Sequence, residues 1–402
     1  MMDYTLFGES HGPVVGILLR HVPAGLPVDA LQMERDLLRR RSGGGLSTAR
    51  QEGDQVRFLS GVWQGYTTGM PLVMVIANQD ARPQDYEALR TVARPGHADY
   101  TAHVKAKGFQ DYRGGGHFSG RLTAPLTAAG SIAKTALACQ GVTVSAHVAD
   151  EEALRRRAAA AKAEGDSVGG QIVCTVNGLA AGLGGPDWYD AVESEIARHV
   201  FAIPGVKAVG FGAGEDFAAL RGSQANDPLR TDGKTVWTES NHNGGVNGGI
   251  TNGMPVTLTV TFKPTPTIAK AQETVDLARM ENVTLSAAGR HDSCIALRAA
   301  PIVEAAVALA VCQLWQEMPE ESLAGYRSEI DKIDGEIVDL LVKRLQIGGK
   351  IGTLKAEMGV EIRDKRREWE VLQSRGDMAP EHRAAIEAVF RTIMAQTREA
   401  EQ

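Results

Sequence analysis

Within the first 316 residues, three pairs of segments repeat one another in the same order, and this restricts the folds open to the chain. The stretch from Val15, VGILLRHVPAGLPVDALQMERDLLRRR, reads as a strand, a turn at Pro23-Ala24-Gly25-Leu26-Pro27 and an amphipathic helix. The stretch from Ile172, IVCTVNGLAAGLGGPDWYDAVESEIARHVF, has the same order, with Ala181-Gly182-Leu183 at the turn. Thr68-Gly69-Met70-Pro71 leads into LVMVI as Asn252-Gly253-Met254-Pro255 leads into VTLTVTF. Finally, GGHFSGRLTAPLTAAGSIAKTAL from Gly115 parallels GRHDSCIALRAAPIVEAAVALAV from Gly289, each a His-bearing turn followed by Arg, Ala-Pro and an apolar helix. Chance similarity at Gly/Pro turns has no reason to keep the order of all three pairs. Two copies of a strand–helix–strand–helix unit predict a pseudo-symmetric α+β domain, with a site in the crevice between its halves. Helices as apolar as 128–139 and 302–314 are expected to be buried on every side.

A second constraint is the change of composition near Pro319. Upstream lie all four Cys, nine of the ten His and 38 of the 45 Gly, the composition of a loop-rich catalytic domain. Downstream the chain reads as helix almost throughout. With a net charge of -6 and no basic block, nucleic acid is not an expected partner. No apolar run reaches ~18 residues and no signal-peptide pattern opens the chain, which points to a soluble cytoplasmic protein with no membrane partner. Cys139, Cys174, Cys294 and Cys312 are widely spaced, without a CxxC pair or a His at ligand spacing. They are expected as buried thiols rather than disulfides or zinc ligands, and no metal site is expected.

Four histidines sit beside glycine: His11 in GESHG, His97 in RPGHAD, His117 in GGGH and His291 in GRHD. Glycine allows close backbone approach and imidazole can carry a proton near neutral pH, so several such turns in one domain favour acid–base work over loop structure. Arg39-Arg40-Arg41 at a helix end, with Arg94, Arg113, Arg121 and Arg290, adds capacity for phosphate or carboxylate oxygens, although arginines at a helix end are commonly just solvated. Lys263-Pro264-Thr265-Pro266-Thr267 reads either as a rigid connector or as a phosphate-meeting loop. The Gly210-Phe211-Gly212-Ala213-Gly214 run lacks GxGxxG spacing and is no Rossmann site.

GESHG, RPGHAD, DYRGGGHFSGR, SNHNGGVNGG, KPTPT and GRHDSCIALRAAPIVEA, in this order over residues 1–316, resemble the chorismate synthase family. The resemblance implies anti-1,4-elimination of phosphate from 5-enolpyruvylshikimate-3-phosphate to give chorismate, with reduced FMN and no net redox change. The C–H bond to be broken is weakly acidic, so an electron-rich flavin is needed beside the protein's own bases. Carried over, the catalytic residues are His11 (proton to the reduced flavin), His97 (proton to the departing phosphate) and Asp292 (proton transfer to the flavin). Arg40, Arg94, Arg121 and Arg290 are the substrate's anion holders. His117, Phe118, Ser119, Pro204, Gly205, Gly248, Lys263 to Thr267 (with Pro264, Thr265 and Pro266 between) and Arg290 form the FMN wall. Gly43-Gly44-Gly45-Leu46 stands where relatives carry another arginine, His117 where many have Arg, and the first strand begins several residues later than usual. No segment reads as a reductase. The resemblance therefore points to a separate flavin reductase, or another supply of reduced flavin, with NADPH used only if reduction is intrinsic.

In the tail, Leu323, Tyr326, Ile330, Ile333, Ile337, Leu340, Leu341 and Leu345 recur at a period near 3.6. This predicts a helix continuing to Met358 despite Gly348, Gly349 and Gly352, a second beginning near 363–364 and a third after Pro380. A dimerising bundle would need no more than this. Arg344 and Lys355, however, are only ~20° apart around the helix and ~16 Å along it, so they can converge on one small dianion. Arg327 lies ~25 Å and ~100° from Arg344 and can serve only the site of another protomer. Arg327, Arg344, Lys355, Asp364, Arg367 and Glu368 are similar in register to the all-helical chorismate mutase family. That resemblance implies cofactor-free rearrangement of chorismate to prephenate, catalysed by cations fixed around the breaking ether. Arg344 and Lys355 are the expected catalytic cations, and Arg327, Asp364, Arg367 and Glu368 substrate holders. The family's ether-contacting Gln falls at Glu401, which can donate only when protonated, so this activity is expected to rise below neutral pH.

The sequence thus predicts a chorismate-synthase-like β-α-β sandwich domain (1–316), a linker (317–322) and an all-α three-helix domain (323–402). It reads as a bifunctional enzyme of the shikimate pathway acting on small molecules, and as a homo-oligomer with a mutase-like dimer within a synthase-like tetramer. The rival reading is a monofunctional synthase whose tail assembles oligomers or senses an aromatic amino acid.

Overall fold

In the computed structural model, which describes residues 2–401 except 42–44, 47–49, 51, 82, 186, 287–291, 316–322 and 362, the chain divides into two compact units, Met1–Met318 and Pro319–Gln402. The first unit opens with an antiparallel hairpin of β1 (Asp3–Gly8) and β2 (Val14–Arg20). Gly8 ends β1 at φ +93°, where a Cβ would stand 2.4 Å from the Val14 carbonyl oxygen; only glycine fits. Helix α1 (Ala30–Arg40) starts where the Asp29 carboxylate accepts from the Gln32 N–H at 2.8 Å. Strands β3 (Val56–Ser60) and β4 (Leu72–Ala77) complete an antiparallel sheet of order β1-β2-β4-β3, and helix α2 (Thr123–Ala138) follows.

The second half repeats this plan. Strands β5 (Thr143–Val148) and β6 (Gly170–Asn177) precede helix α3 (Val192–Phe201). Strands β7 (Val206–Phe211) and β8 (Val256–Phe262) close a sheet of order β5-β6-β8-β7, followed by helix α4 (Ala300–Trp315). The two sheets have the same topology, and the repeated segments fall on equivalent elements: β2 with β6, α1 with α3, β4 with β8, α2 with α4. Each copy holds two more strands than the repeats predict, because β1, β3, β5 and β7 carry no shared motif. In β8, VTLTVTF, every apolar side chain is buried and every Thr half-buried, the period of two that a one-sided sheet requires.

Helix α2 lies on β2 and β4, α4 on β5 and β6, and the two helices pack on each other between the sheets. As expected, α4 is buried from Pro301 to Leu314, and each of its larger aliphatic side chains contributes about 1.5–3 kcal/mol by leaving water. Their backbones meet at Gly130, where a Cβ would stand 2.2 Å from the Ala305 Cβ. Cys174, Cys294 and Cys312 are buried, whereas Cys139 is exposed, correcting the expectation of four buried thiols: it follows the last turn of α2, where the helix has left the core.

The second unit is three helices, α5 (Leu323–Met358), α6 (Lys365–Met378) and α7 (Arg383–Glu401), with α7 packed on both others. Gly348, which weakens α5 intrinsically, is needed there: a Cβ would stand 2.6 Å from the Thr397 side chain of α7. Ile333, Ile337, Leu340, Ile347 and Leu354 of α5 are exposed in the single chain. Among the described residues no helix is long and apolar enough to cross a membrane.

Candidate active site

One cleft of about 760 Å³ opens between the two halves of the first unit. Its lining is mixed: charged side chains, Arg40, Arg41, Arg50, Arg121, Arg298, Glu52, Asp54 and Asp292, and apolar ones, Leu6, Leu126, Phe201, Ile203 and Ile295. Such a lining suits a ligand that carries both anionic groups and apolar surface.

The last turn of α1 delivers the cations. Its three arginines are not merely solvated. Arg39 forks onto Glu304 of α4 at 2.8 and 2.9 Å, while Arg40 is 5% exposed and donates to Thr123 Oγ1 at 3.0 Å and to Asp54 at 3.3 Å. Arg121 shares Asp54 and adds a bond from Nε to Asn78 Oδ1 at 2.8 Å. Burial pulls the Arg40 guanidinium down from its ordinary value; Asp54 opposes this and Arg298 and Arg121 reinforce it. The Nε atoms of Arg40, Arg41 and Arg298 are buried without a hydrogen-bond partner among the described residues. Crowded cations with unused donors are what an anionic ligand would satisfy. Arg50 donates to Ser10 Oγ and O at 2.9 Å and to Glu52 at 2.7 Å, so a guanidinium does reach this end although Gly45 offers none.

Gly114, Gly115 and Gly116, at φ 59°, 83° and 52°, bring bare backbone against two histidines. A Cβ on Gly114 would stand 2.4 Å from His11 Nδ1, and one on Gly115 2.6 Å from His97 Cε1. His97 lines the cleft. His11 stands just behind its wall, with Tyr86 edge-on at 4.8 Å, and its Nδ1 is buried without a partner among the described residues. Burial lowers the His11 imidazole from its ordinary value, Arg50 and Arg113 push the same way, and Asp111 and the Arg113 backbone oppose them. Asp292 accepts from Arg298 Nη2 at 2.6 Å.

Of the residues expected to form a flavin wall, His117, Phe118, Ser119, Pro204, Gly205, Lys263, Thr265, Pro266 and Thr267 line this cleft. Gly248 and Pro264 do not, and Arg290 lies outside the described residues. The Thr265 hydroxyl is buried without a partner among the described residues, and burial, then the neighbouring Lys207, lowers the Lys263 ammonium. Apolar lining side chains together with an unused hydroxyl and two lysines fit a ring carrying a phosphate. Arg94, expected to hold substrate, does not line the cleft; its fork is spent on Asp99. Sequence reasoning missed Arg50, Asp54, Asp99 and Arg298. Only Asp99 carried a local signal, two residues after His97.

In the second unit, Arg344 of α5 donates to Thr397 Oγ1 and to the Ile393 carbonyl at 3.4 Å, both on α7. Glu368 pairs with Arg398 of α7 and lies 3.7 Å from Arg363. Lys355 is half-buried on α5. Asp364 caps α6, accepting from the Arg367 N–H at 2.9 Å, while the Arg367 side chain is exposed and lies 3.6 Å from Glu370. The side chains of Arg327 and Glu401 lie outside the described ones. Thr397 and Arg398 were missed.

Residues 2–153 and 149–315 match the model of the chorismate synthase family, and residues 326–402 that of chorismate mutase type II. The chain is 45% identical to the chorismate synthase of Thermococcus kodakarensis, over 77% of this chain and 95% of that one. It is 46% identical to that of Chitinophaga pinensis, over 76% of this chain and 92% of that one. A crystal structure of chorismate synthase superposes with a TM-score of 0.61 at 22% identity, covering 84% of this chain and 98% of that one, a likeness of fold.

Proposed function

Because this chain belongs to the chorismate synthase family and continues into a chorismate mutase type II domain, a lyase and an isomerase in one polypeptide, we propose that it performs two consecutive reactions. The first unit eliminates phosphate from 5-enolpyruvylshikimate-3-phosphate to give chorismate; the second rearranges chorismate to prephenate. The observation that carries the first assignment is the cleft that joins buried arginines with unused Nε donors to His97 and an apolar wall.

The residues present fit reduced FMN, which Phe118, Pro204, Gly205, Pro266, Lys263 and Thr265 would hold. When bound it supplies electron density transiently to the substrate, with no net redox change. The protein does the rest. Arg40 and Arg121, whose positive charge their shared carboxylate Asp54 offsets only in part, hold the substrate's anionic groups. His97 gives its proton to the departing phosphate as the C–O bond breaks. His11, shielded by Tyr86 and Gly114, holds a proton for the flavin, and Asp292, kept in place by Arg298, moves one at its carboxylate. Reduced flavin comes from a separate reductase or another supply, with NADPH used only if reduction is intrinsic.

In the second unit the step is pericyclic and needs no nucleophile. Arg344 and Lys355 place positive charge at the ether oxygen and carboxylates, and Glu401, when protonated, donates to the ether. The exposed aliphatic side chains of α5 form the face that a second copy covers, which brings Arg327 to the partner's site as a mutase-like dimer within a synthase-like tetramer.

Two single variants test the assignment. Arg121→Ala is expected to abolish chorismate formation yet still convert supplied chorismate to prephenate; Lys355→Ala is expected to do the reverse. Loss of both activities in either variant would contradict two independent sites.

A further inference from the structure

Arg94 and His97 belong to one short turn, yet only the histidine lines the cleft. The Arg94 guanidinium is buried and turned onto Asp99: Nε donates to Oδ2 at 2.7 Å, Nη2 to Oδ1 at 2.8 Å, and the Arg94 backbone N–H adds a bond to Oδ2 at 3.0 Å. The same Oδ1 lies 2.7 Å from His97 Nδ1. Burial alone would raise the Asp99 carboxyl, but the bonds from Arg94 and His97 outweigh it and hold it well below the usual carboxylate range. A carboxylate only accepts, so the hydrogen in the Asp99–His97 contact belongs to Nδ1. Arg94 Nη2, 3.2 Å from that nitrogen, is itself only a donor and offers it no competing acceptor.

We infer that Asp99, clamped by Arg94, is the positioning residue of His97: the pair fixes the ring in its Nδ1–H tautomer and leaves Nε2 to exchange a proton with the ligand in the cleft. Arg94 is thereby a brace for the proton donor and not a substrate ligand. The inference rests on the reading of His97 as donor in the elimination. There, the imidazolium carries a hydrogen on both nitrogens. As the C–O bond breaks, its electron pair stays with the phosphate oxygen, the Nε2 proton passes to the phosphate, and the ring is left as the neutral Nδ1–H form that Asp99 stabilises. The missing side chain of Gly115 serves the same end, since a Cβ there would stand 2.9 Å from Nε2.

The test uses the full chain and the variants Asp99→Asn, Arg94→Lys, His97→Ala and the Asp99→Asn/His97→Ala double. Nitrogen-15 NMR of histidine-labelled wild-type protein, above the titration of the ring, is expected to place the His97 hydrogen on Nδ1. Asp99→Asn, whose amide can turn its NH₂ toward Nδ1, is expected to shift it to Nε2 and to lower synthase kcat about a hundredfold or more, with KM within about twofold. The double variant should be no slower than His97→Ala alone, because residues acting as one unit are not additive. Arg94→Lys keeps the charge but loses the fork, and should lower kcat rather than raise KM.

A wild-type hydrogen on Nε2, a further loss in the double variant, or a KM rise of about tenfold or more at unchanged kcat in Arg94→Lys would each overturn the inference. The NMR reading needs no turnover. A wild-type chain without synthase activity would therefore contradict the proposed function and still report the tautomer.

Discussion

The Gly115 backbone packs directly against the His97 ring: a Cβ built on Gly115 would stand 2.6 Å from the imidazole Cε1, at a φ of +83° that disfavours any side chain. Gly115→Ala must therefore push the ring aside or distort its own turn. Synthase kcat is expected to fall about a hundredfold, the cost of roughly an ångström of misplacement, with circular dichroism unchanged. Retention of full activity would mean that the ring can move freely.

His11 should take up a proton when an anion binds. In the ligand-free protein its imidazole is lowered, first by burial and then by Arg50, so it is neutral at pH 7. An anionic ligand nearby favours the imidazolium and raises it again. Uptake is greatest between the lowered and the raised value and vanishes well above both. Calorimetry of phosphate-bearing substrate binding, in buffers of different ionisation enthalpy near neutral pH, measures its sign, and net proton release would contradict this reading.

Gly130 lets α2 and α4 touch at Ala305, where a Cβ would lie 2.2 Å from the Ala305 Cβ and 2.3 Å from its Cα. In an exposed helix, Gly→Ala stabilises; at Gly130 it overpacks. Gly130→Ala should cost about 1–3 kcal/mol, read as a lower denaturant midpoint in urea. A higher midpoint would show that the helices can part without penalty.

On the proposed reading Glu401 should make the second activity acid-dependent, since only the protonated carboxyl can donate to the ether oxygen. Turnover of supplied chorismate should rise as pH falls below 7 in the wild type. In Glu401→Gln it should be faster at neutral pH and flat from about pH 5 to 8, because an amide donates at every pH. A wild-type profile already flat over this range would remove Glu401 from the mechanism.

The doubled plan was legible because its strands and helices carry paired turn motifs, from Thr68-Gly69-Met70-Pro71 to the buried helices after each Ala-Pro. The four outer strands were not, since nothing in Asp3–Gly8 or Thr143–Val148 repeats. Cations were visible as residue types but not in their aim: Arg40 turns into the cleft, Arg39 onto Glu304 and Arg94 onto Asp99. Asp54 was invisible because its role exists only where Arg40 and Arg121 converge, far apart in sequence. Thr397 likewise meets Arg344 only through the crossing at Gly348.

The most direct measurement is anaerobic turnover of 5-enolpyruvylshikimate-3-phosphate by the full chain with reduced FMN, with chorismate and prephenate followed over time at pH 6 and pH 7.5. Two consecutive active sites predict transient chorismate and final prephenate, with the second step faster at pH 6. Chorismate that accumulates without prephenate at both pH values, or substrate left unconverted, would contradict them.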